Sequence, residues 1–173
     1  MKLPYVITVV FVFLTFGIQA QEISWMSWEE AIERSTTDSK PKKIFVDVYT
    51  DWCGWCKKMD ATTFSDPEVA AYMNENFYMV KFDAESREAV EYKEKVFTFQ
   101  AQGKRGFHEL AYALLQGRLS YPSEVFMNEK QELLSPVPGY READEFLQIA
   151  RYFGDDIFLH TKWADYQAKG SGK

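Results

Sequence analysis

The sequence predicts an α/β fold, a central mixed β-sheet flanked by α-helices, and three observations carry that prediction. An apolar, β-branched run from Lys43 to Tyr49 reads as a strand buried within a sheet. Helical and strand patterns alternate on either side of it, the layered arrangement that covers both faces of such a sheet. The two cysteines, Cys53 and Cys56, stand three residues apart directly after that strand, where a helix begins. With 173 residues, 46% of them apolar and 17% aromatic, the chain can bury a core without disulfide staples, and disorder is not expected. Residues 21–173 are expected to form a single domain.

Each element follows from local chemistry. Gln21 to Trp25 reads as a lead-in, and Ser27-Trp28-Glu29-Glu30 fits a capping box, with Ser27 as N-cap and Glu30 reaching back. The helix it opens runs to about Thr37 with Trp28, Ala31 and Ile32 inward, and Asp38-Ser39-Lys40-Pro41 turns the chain. After the strand and the cysteines, a helix carrying Lys57, Lys58 and Met59 breaks near Thr62-Thr63. Asp66 then caps a helix whose first residue is Pro67 and which reaches about Asn76. Phe77 to Asp83 is a second apolar strand. Residues 86–106 read as an inserted hairpin or loop: Glu88 to Lys95 fits a helix, and Val96 to Gln100 alternates like a strand. Phe107 to Leu115 reads as a helix with Leu110, Ala111, Leu114 and Leu115 inward, and its His108 as a surface or helix-start residue. Glu124 to Met127 and Glu132 to Ser135 form a hairpin, Glu142 to Phe153 an amphipathic helix, and Asp155 to Ala168 one extra C-terminal helix before a flexible tail at about 169–173.

Charge and the N-terminus bound the function. A net charge of -6 with no basic patch argues against nucleic acid as the main partner. Residues 1–20 read as a secretory signal peptide: Lys2, a nearly all apolar stretch from Tyr5 to Phe16, then Gly17-Ile18-Gln19-Ala20, which ends with a small residue before Gln21. An uncleaved N-terminal anchor is the alternative, because Ile18 is larger than the residue usually found three positions before a cut. Exported domains often use disulfides structurally, yet this chain has only the one pair, which leaves that pair free for exchange chemistry.

A strand followed by Cys-x-x-Cys at a helix start is a redox pattern. The orphan N–H groups and the positive end of the macrodipole stabilise a thiolate there. Half of a zinc site and two inert packing thiols are the alternatives. A structural zinc site wants four ligands, and beyond the pair the chain offers only His108 and His160 without metal-like spacing, so no metal is expected.

The run from Ile44 to Lys57, with Thr63-Phe64-Ser65-Asp66-Pro67-Glu68-Val69, resembles the thioredoxin superfamily, and in particular exported thioredoxin-like proteins. The likeness covers roughly Trp25 to Phe153, is most specific at 44–69, and is absent across the insertion and the last helix. It implies a thioredoxin-like fold with the redox pair exposed at one edge and the insertion ahead of a cis-proline strand. It implies Cys53 as the more exposed, attacking thiol, with a pKa lowered from about 8.5 into the range of about 3.5–7.5, and Cys56 as the resolving thiol. Asp47 matches the family's buried carboxylate, raised in pKa and suited to accept the Cys56 proton; Lys81 matches a lysine that moderates it. Tyr121-Pro122 matches the cis-proline loop that pairs with an extended substrate segment, beside Trp52, Gly54 and Trp55 in the contact surface. Trp55 departs from the proline of thioredoxin itself, so the direction of electron flow does not carry over. Lys57 and Lys58 add positive charge near the motif.

The resulting expectation is an extracytoplasmic, periplasmic protein-disulfide reductase with protein thiols and disulfides as partners. It would be a monomer, fed by a membrane-bound thiol electron donor and needing no cofactor beyond the Cys53–Cys56 pair. Running the same pair as an oxidase or isomerase is one alternative. A partner-binding module with vestigial cysteines is the other.

Overall fold

Lys43–Tyr49 forms the middle strand, β2, of a five-stranded mixed sheet in the computed structural model, which describes residues 21–170. The signal-peptide reading falls on residues 1–20, outside the described residues. Phe77–Asp83 (β3) lies parallel to β2 on one side, and Ser123–Met127 (β8) antiparallel on the other. Trp25–Met26 (β1) pairs parallel with β3, and Leu133–Pro138 (β9) antiparallel with β8, giving the order β1-β3-β2-β8-β9. The sequence reading ended its lead-in at Trp25; a two-residue strand carries too little periodicity to be seen without its partner.

The alternation of β2 divides its side chains between two cores. Ile44, Val46 and Val48 join Val80, Val125 and Met127 under helices α1 (Trp28–Thr37) and α4 (Glu109–Leu114), which contribute Trp28, Ala31, Leu110, Ala111 and Leu114. Phe45 faces the other way, toward α2 (Gly54–Ala61), α3 (Pro67–Asn76) and α5 (Ala143–Gly154). Its ring is fully buried and meets Phe64, Phe126 and Phe146 edge-on at 6.0, 5.3 and 5.6 Å between centroids. Ser27 Oγ accepts the Glu30 N–H, the first half of the expected capping box, while the Glu30 carboxylate lies 3.9 Å from Arg34; Asp66 accepts from Glu68 and Val69 ahead of Pro67.

Three readings are corrected. Glu88 to Lys95 is not helical: Val90–Tyr92 (β4) and Lys95–Phe97 (β5) pair as a hairpin. Its two turn residues, Lys93 and Glu94, both take positive φ, 49° and 61°, the conformation of the tightest hairpin turns. Burying Val90 and Phe97 on one side of the hairpin outweighs the helical propensity of its charged residues. A second hairpin, Phe99–Gln102 (β6) with Arg105–His108 (β7), replaces the first turn of the helix expected from Phe107. His108 closes β7 and caps α4, its Nδ1 accepting the Leu110 N–H at 3.1 Å; it is a helix-start residue, but a fully buried one. Finally, Asp155 to Ala168 is not one helix. Asp156 adopts a left-handed conformation (φ 58°), and the chain continues as a 3-10 turn, Ile157–Leu159, and helix α6, Trp163–Gly170. Trp163 and Tyr166 then fold back on Tyr152 at 5.1 and 5.4 Å. Helix α6 reaches two residues into the expected tail; 171–173 lie outside the described residues.

Phe45→Ala is expected to destabilise the protein by about 3–5 kcal/mol in denaturant unfolding, because a fully buried ring is removed from a cluster of rings that cannot all close the gap.

Candidate redox site

β2 ends at Tyr49, and the chain turns through Asp51 and Trp52, with the Cys53 N–H on the Thr50 carbonyl, so that Cys53 becomes the N-cap of α2. Cys53 and Cys56 are joined by a disulfide, and Cys53 Sγ accepts the Cys56 N–H at 3.1 Å. The sulfur therefore sits on an orphan donor at the positive end of the helix. In the dithiol form the same placement favours a thiolate on Cys53. Gly54 opens the helix, and a Cβ built there would meet nothing within 4 Å.

The expected exposure of the pair is not found in the disulfide form: Cys53 is 5% and Cys56 3% exposed, whereas Trp52 and Trp55 are 50% and 58% exposed. The reason is local. Turning Cys53 back over the helix start draws both sulfurs inward and leaves the flanking indoles outside. Each indole belongs to a separate aromatic ledge. Trp52 meets Tyr121 edge-on at 5.9 Å and lies under the Arg105 guanidinium, 4.3 Å from the ring centre. Trp55 pairs with Tyr140 at 5.3 Å, and Lys58 Nζ lies over both rings, 4.5 Å from Tyr140. The Tyr121-Pro122 peptide bond is cis, and the Pro122 carbonyl accepts the Gly139 N–H at 2.9 Å. Burial pushes the Tyr121 phenol up to about 12.

Beneath the helix, Asp47 is buried in the middle of β2, directly opposite Lys81 on β3. Lys81 Nζ lies 3.3 Å from Asp47 Oδ2 and also bonds Asp60 Oδ1 on α2. Asp60 follows Cys56 by four residues, so the two share one stripe of the helix. Desolvation pushes Asp47 up from 3.8 to about 6; Lys81 works against that rise and Asp60 adds to it.

The structure thus gathers Asp47, Lys81, Cys53 and Cys56 at one end of the sheet, with Trp52, Gly54, Trp55, Tyr121 and Pro122 around the disulfide. Lys57 is exposed; it is Lys58 that covers the aromatic ledge. Asp60, Arg105, Tyr140 and Glu124 were missed. Asp60 had a signal in its i,i+4 spacing from Cys56, and Glu124 one as the single charge in an otherwise apolar strand. Arg105 had none, since only the folded insertion brings it to Trp52. Among the described residues no cluster of three or more His, Cys, Asp or Glu could hold a metal, and no helix is long and apolar enough to cross a membrane.

A disulfide capping a helix at the end of a mixed sheet, facing a cis-proline and backed by a buried acid, defines a thioredoxin-fold protein with a thiol–disulfide redox site. The model of the family Thioredox_DsbH, "Protein of unknown function, DUF255", matches residues 13–140, and the chain belongs to that family. It is similar to the disulfide bond reductase DsbH of Chlamydia pneumoniae, 32% identical over 107 residues, which cover 60% of this chain and 64% of the relative. It is also similar to the thiol:disulfide interchange protein DsbD of Photorhabdus laumondii, 34% identical over 53 residues, 31% of this chain and 9% of that one. The match thus spans less than two thirds of either relative. A solved DsbH oxidoreductase superimposes with a TM-score of 0.58 at 19% identity, covering 86% of this chain and 95% of that one, which shows the fold.

The raised Asp47 pKa has a definite sign in stability. The unfolded chain releases this proton near 3.8 and the folded chain near 6, so the folded state binds more protons between those values and stability falls as pH rises through them. Asp47→Asn is expected to lack that fall, gaining up to about 3 kcal/mol on the wild type between about pH 4 and about pH 6, measured by urea unfolding across pH.

Proposed function

We propose that this chain is an extracytoplasmic thiol–disulfide oxidoreductase that reduces protein disulfides. The observation that carries the reading is the Cys53–Cys56 disulfide on the first turn of α2, where Cys53 Sγ already accepts a helix N–H. In the dithiol form the Cys53 thiolate attacks one sulfur of a substrate disulfide, and the other substrate sulfur leaves as a thiolate and takes up a proton. Cys56 gives its proton to Asp47 and attacks Cys53 Sγ. The second substrate sulfur departs as a thiolate and takes up a proton from Asp47 or solvent, and two electrons have passed from the protein to the substrate.

The surface supports a protein substrate. An extended segment docks beside Tyr121-Pro122, between the Trp52–Tyr121 ledge and the Trp55–Tyr140 ledge, and the open space over Gly54 lets its backbone approach. The redox centre is the cysteine pair itself, so the protein works without a dissociable cofactor. The signal-like residues 1–20 support a location beyond the inner membrane, in the periplasm, and the proposal takes the protein to act there as a monomer. There a membrane-bound thiol donor must return electrons, because an oxidising compartment would otherwise leave the pair permanently disulfide-bonded. The name of the Chlamydia relative, a disulfide bond reductase, favours the same direction.

The reduction potential of Cys53–Cys56 tests the direction. A value toward the thioredoxin end, about -270 mV, is expected, and a value near the oxidant end, about -120 mV, overturns the reductase reading. Cys56→Ser is expected to trap mixed disulfides through Cys53 that identify substrates on non-reducing gels, and Cys53→Ser to trap none. Gly54→Ala is expected to leave stability within about 0.5 kcal/mol. It should also slow reduction of a protein disulfide such as insulin while sparing a small disulfide, which separates docking from chemistry.

A further inference from the structure

Glu124 is a second carboxyl beneath the disulfide, and the mechanism above makes no use of it. It lies on β8 directly opposite Asp47, so one rung of the sheet reads Lys81, Asp47, Glu124 and Val137 across β3, β2, β8 and β9. Neighbours on a rung share a face. Here it is the face of Phe45 and Phe126, covered by the helix that carries Cys56 and Met59. Glu124 is 1% exposed, and among the described residues neither of its carboxyl oxygens has a hydrogen-bond partner; Asp47 Oδ1 is equally without one.

The charges around this rung do not balance. Lys81 is the cation in contact with it, and it already serves both Asp47 and Asp60. Arg141, in the segment before α5, acts on Glu124 only at a distance and is engaged by Glu145 and the Tyr140 carbonyl. β9 contributes only Val137 at this level. Two adjacent dehydrated carboxyls with one shared ammonium cannot both ionise near neutral pH. Glu124 is pushed well above the usual carboxylate range, first by burial and then by Asp47. Asp47, with Lys81 beside it, releases its proton at the lower value of about 6.

We propose that Glu124 and Asp47 form one proton-sharing pair under the redox disulfide, with Glu124 holding the proton while Asp47 stays ionised to receive the proton of Cys56. This rests on the exchange chemistry proposed above. Before resolution the pair holds one proton. As Cys56 becomes a thiolate and attacks Cys53 Sγ, its proton completes the neutral pair, and that proton then passes to solvent or to the departing substrate thiolate. Electrons move only between sulfurs. Glu124 is a positioning residue: it touches no reacting atom, and it sets how strong a base Asp47 is. When Glu124 is neutral, Asp47 is a moderate base; when Glu124 ionises at higher pH, its charge makes Asp47 a stronger one.

Carbon-13 detected titration of the Asp47 and Glu124 carboxyls in the wild-type protein tests the pair directly. Two coupled steps are expected, the upper one dominated by Glu124. Asp47→Asn should lower the Glu124 midpoint by about one pH unit, a tenfold loss of proton affinity. Stopped-flow oxidation of the reduced protein by oxidised glutathione gives the kinetic readout. The wild-type rate should rise through two limbs, and Glu124→Gln should keep the lower limb and lose the upper, falling about tenfold behind at alkaline pH. A Glu124 carboxyl titrating in one ordinary step near 4.3, or a Glu124→Gln profile superimposable on the wild type, overturns the proposal. If no variant exchanges thiols at all, the oxidoreductase reading fails and the wild-type titration still decides whether the pair shares a proton. That titration also stands if Glu124→Gln does not fold.

Discussion

The dehydration of Asp47 is the constraint on which the redox site depends. A carboxylate in the middle strand of a sheet, with helices on both faces, has lost its water and cannot recover it by a side-chain movement. What it receives in place of water is a single ion pair with Lys81, shared with Asp60. One ammonium between two acids under-compensates the buried one, and a pKa of about 6 results. In the proposed exchange that value suits Asp47 to its part, since a base poised just below neutral both accepts and returns a proton. A closer or unshared lysine would stabilise the fold and weaken the base. Lys81 also spans β3 and α2, so the contact that moderates the acid fixes the register of the cysteine helix over the sheet.

Much of this was written in local sequence, and the parts that were not have a common physical cause. β2, β3 and the helices around the cysteines follow from periodicity and from caps such as Ser27 and Asp66, which act within a few residues. Asp47 is legible because strand alternation puts it on the face of Phe45. The errors fall where tertiary contacts decide. β1 is two residues long and exists because β3 offers it an edge. The stretch from Glu88 to Lys95 has helix-forming charged residues, yet Tyr92 stands on Trp28 at 5.1 Å, a contact available only to a hairpin. The buried cysteines were misread because exposure belongs to the assembled ledges of Trp52 and Trp55 and not to the motif. Asp60 and Glu124 carried signals of their own, a helical spacing and a charge inside an apolar strand. Neither means anything until the Cys56 stripe and the Asp47 rung are in place.

The insertion links fold to specificity. His108 is fully buried, with Nδ1 on the Leu110 N–H and Nε2 against the Glu88 carbonyl, and burial holds its pKa below the ordinary value. It works as a fastener between β7, α4 and the segment leading into the first hairpin. That fastening carries Arg105 to Trp52 on the rim of the disulfide. The opposite rim, Trp55 with Tyr140 and Lys58, is built from the motif helix and the chain before α5. A cation-capped aromatic therefore stands on each side of a recessed disulfide. In the proposed function this rim is what a substrate segment would meet, while the chemistry at the floor stays that of the cysteine pair.

A disulfide that must open and close cannot also serve as a staple, so this fold is held by non-covalent contacts, with packing foremost among them. That explains why the face bearing Asp47 and Glu124 is also the face crowded with rings: Phe45, Phe64, Phe77, Phe126, Phe146 and Phe153. Each buried acid with a raised pKa lowers stability at neutral pH, and here two stand on one rung. The aromatic cluster offsets that burden next to where it arises, and it also keeps water from the carboxyls, which is what raises their pKa values. Packing and proton chemistry are therefore one design here. Loosening the cluster would hydrate the acids, return them toward ordinary values, and, in the mechanism proposed above, leave Cys56 without a base matched to its proton.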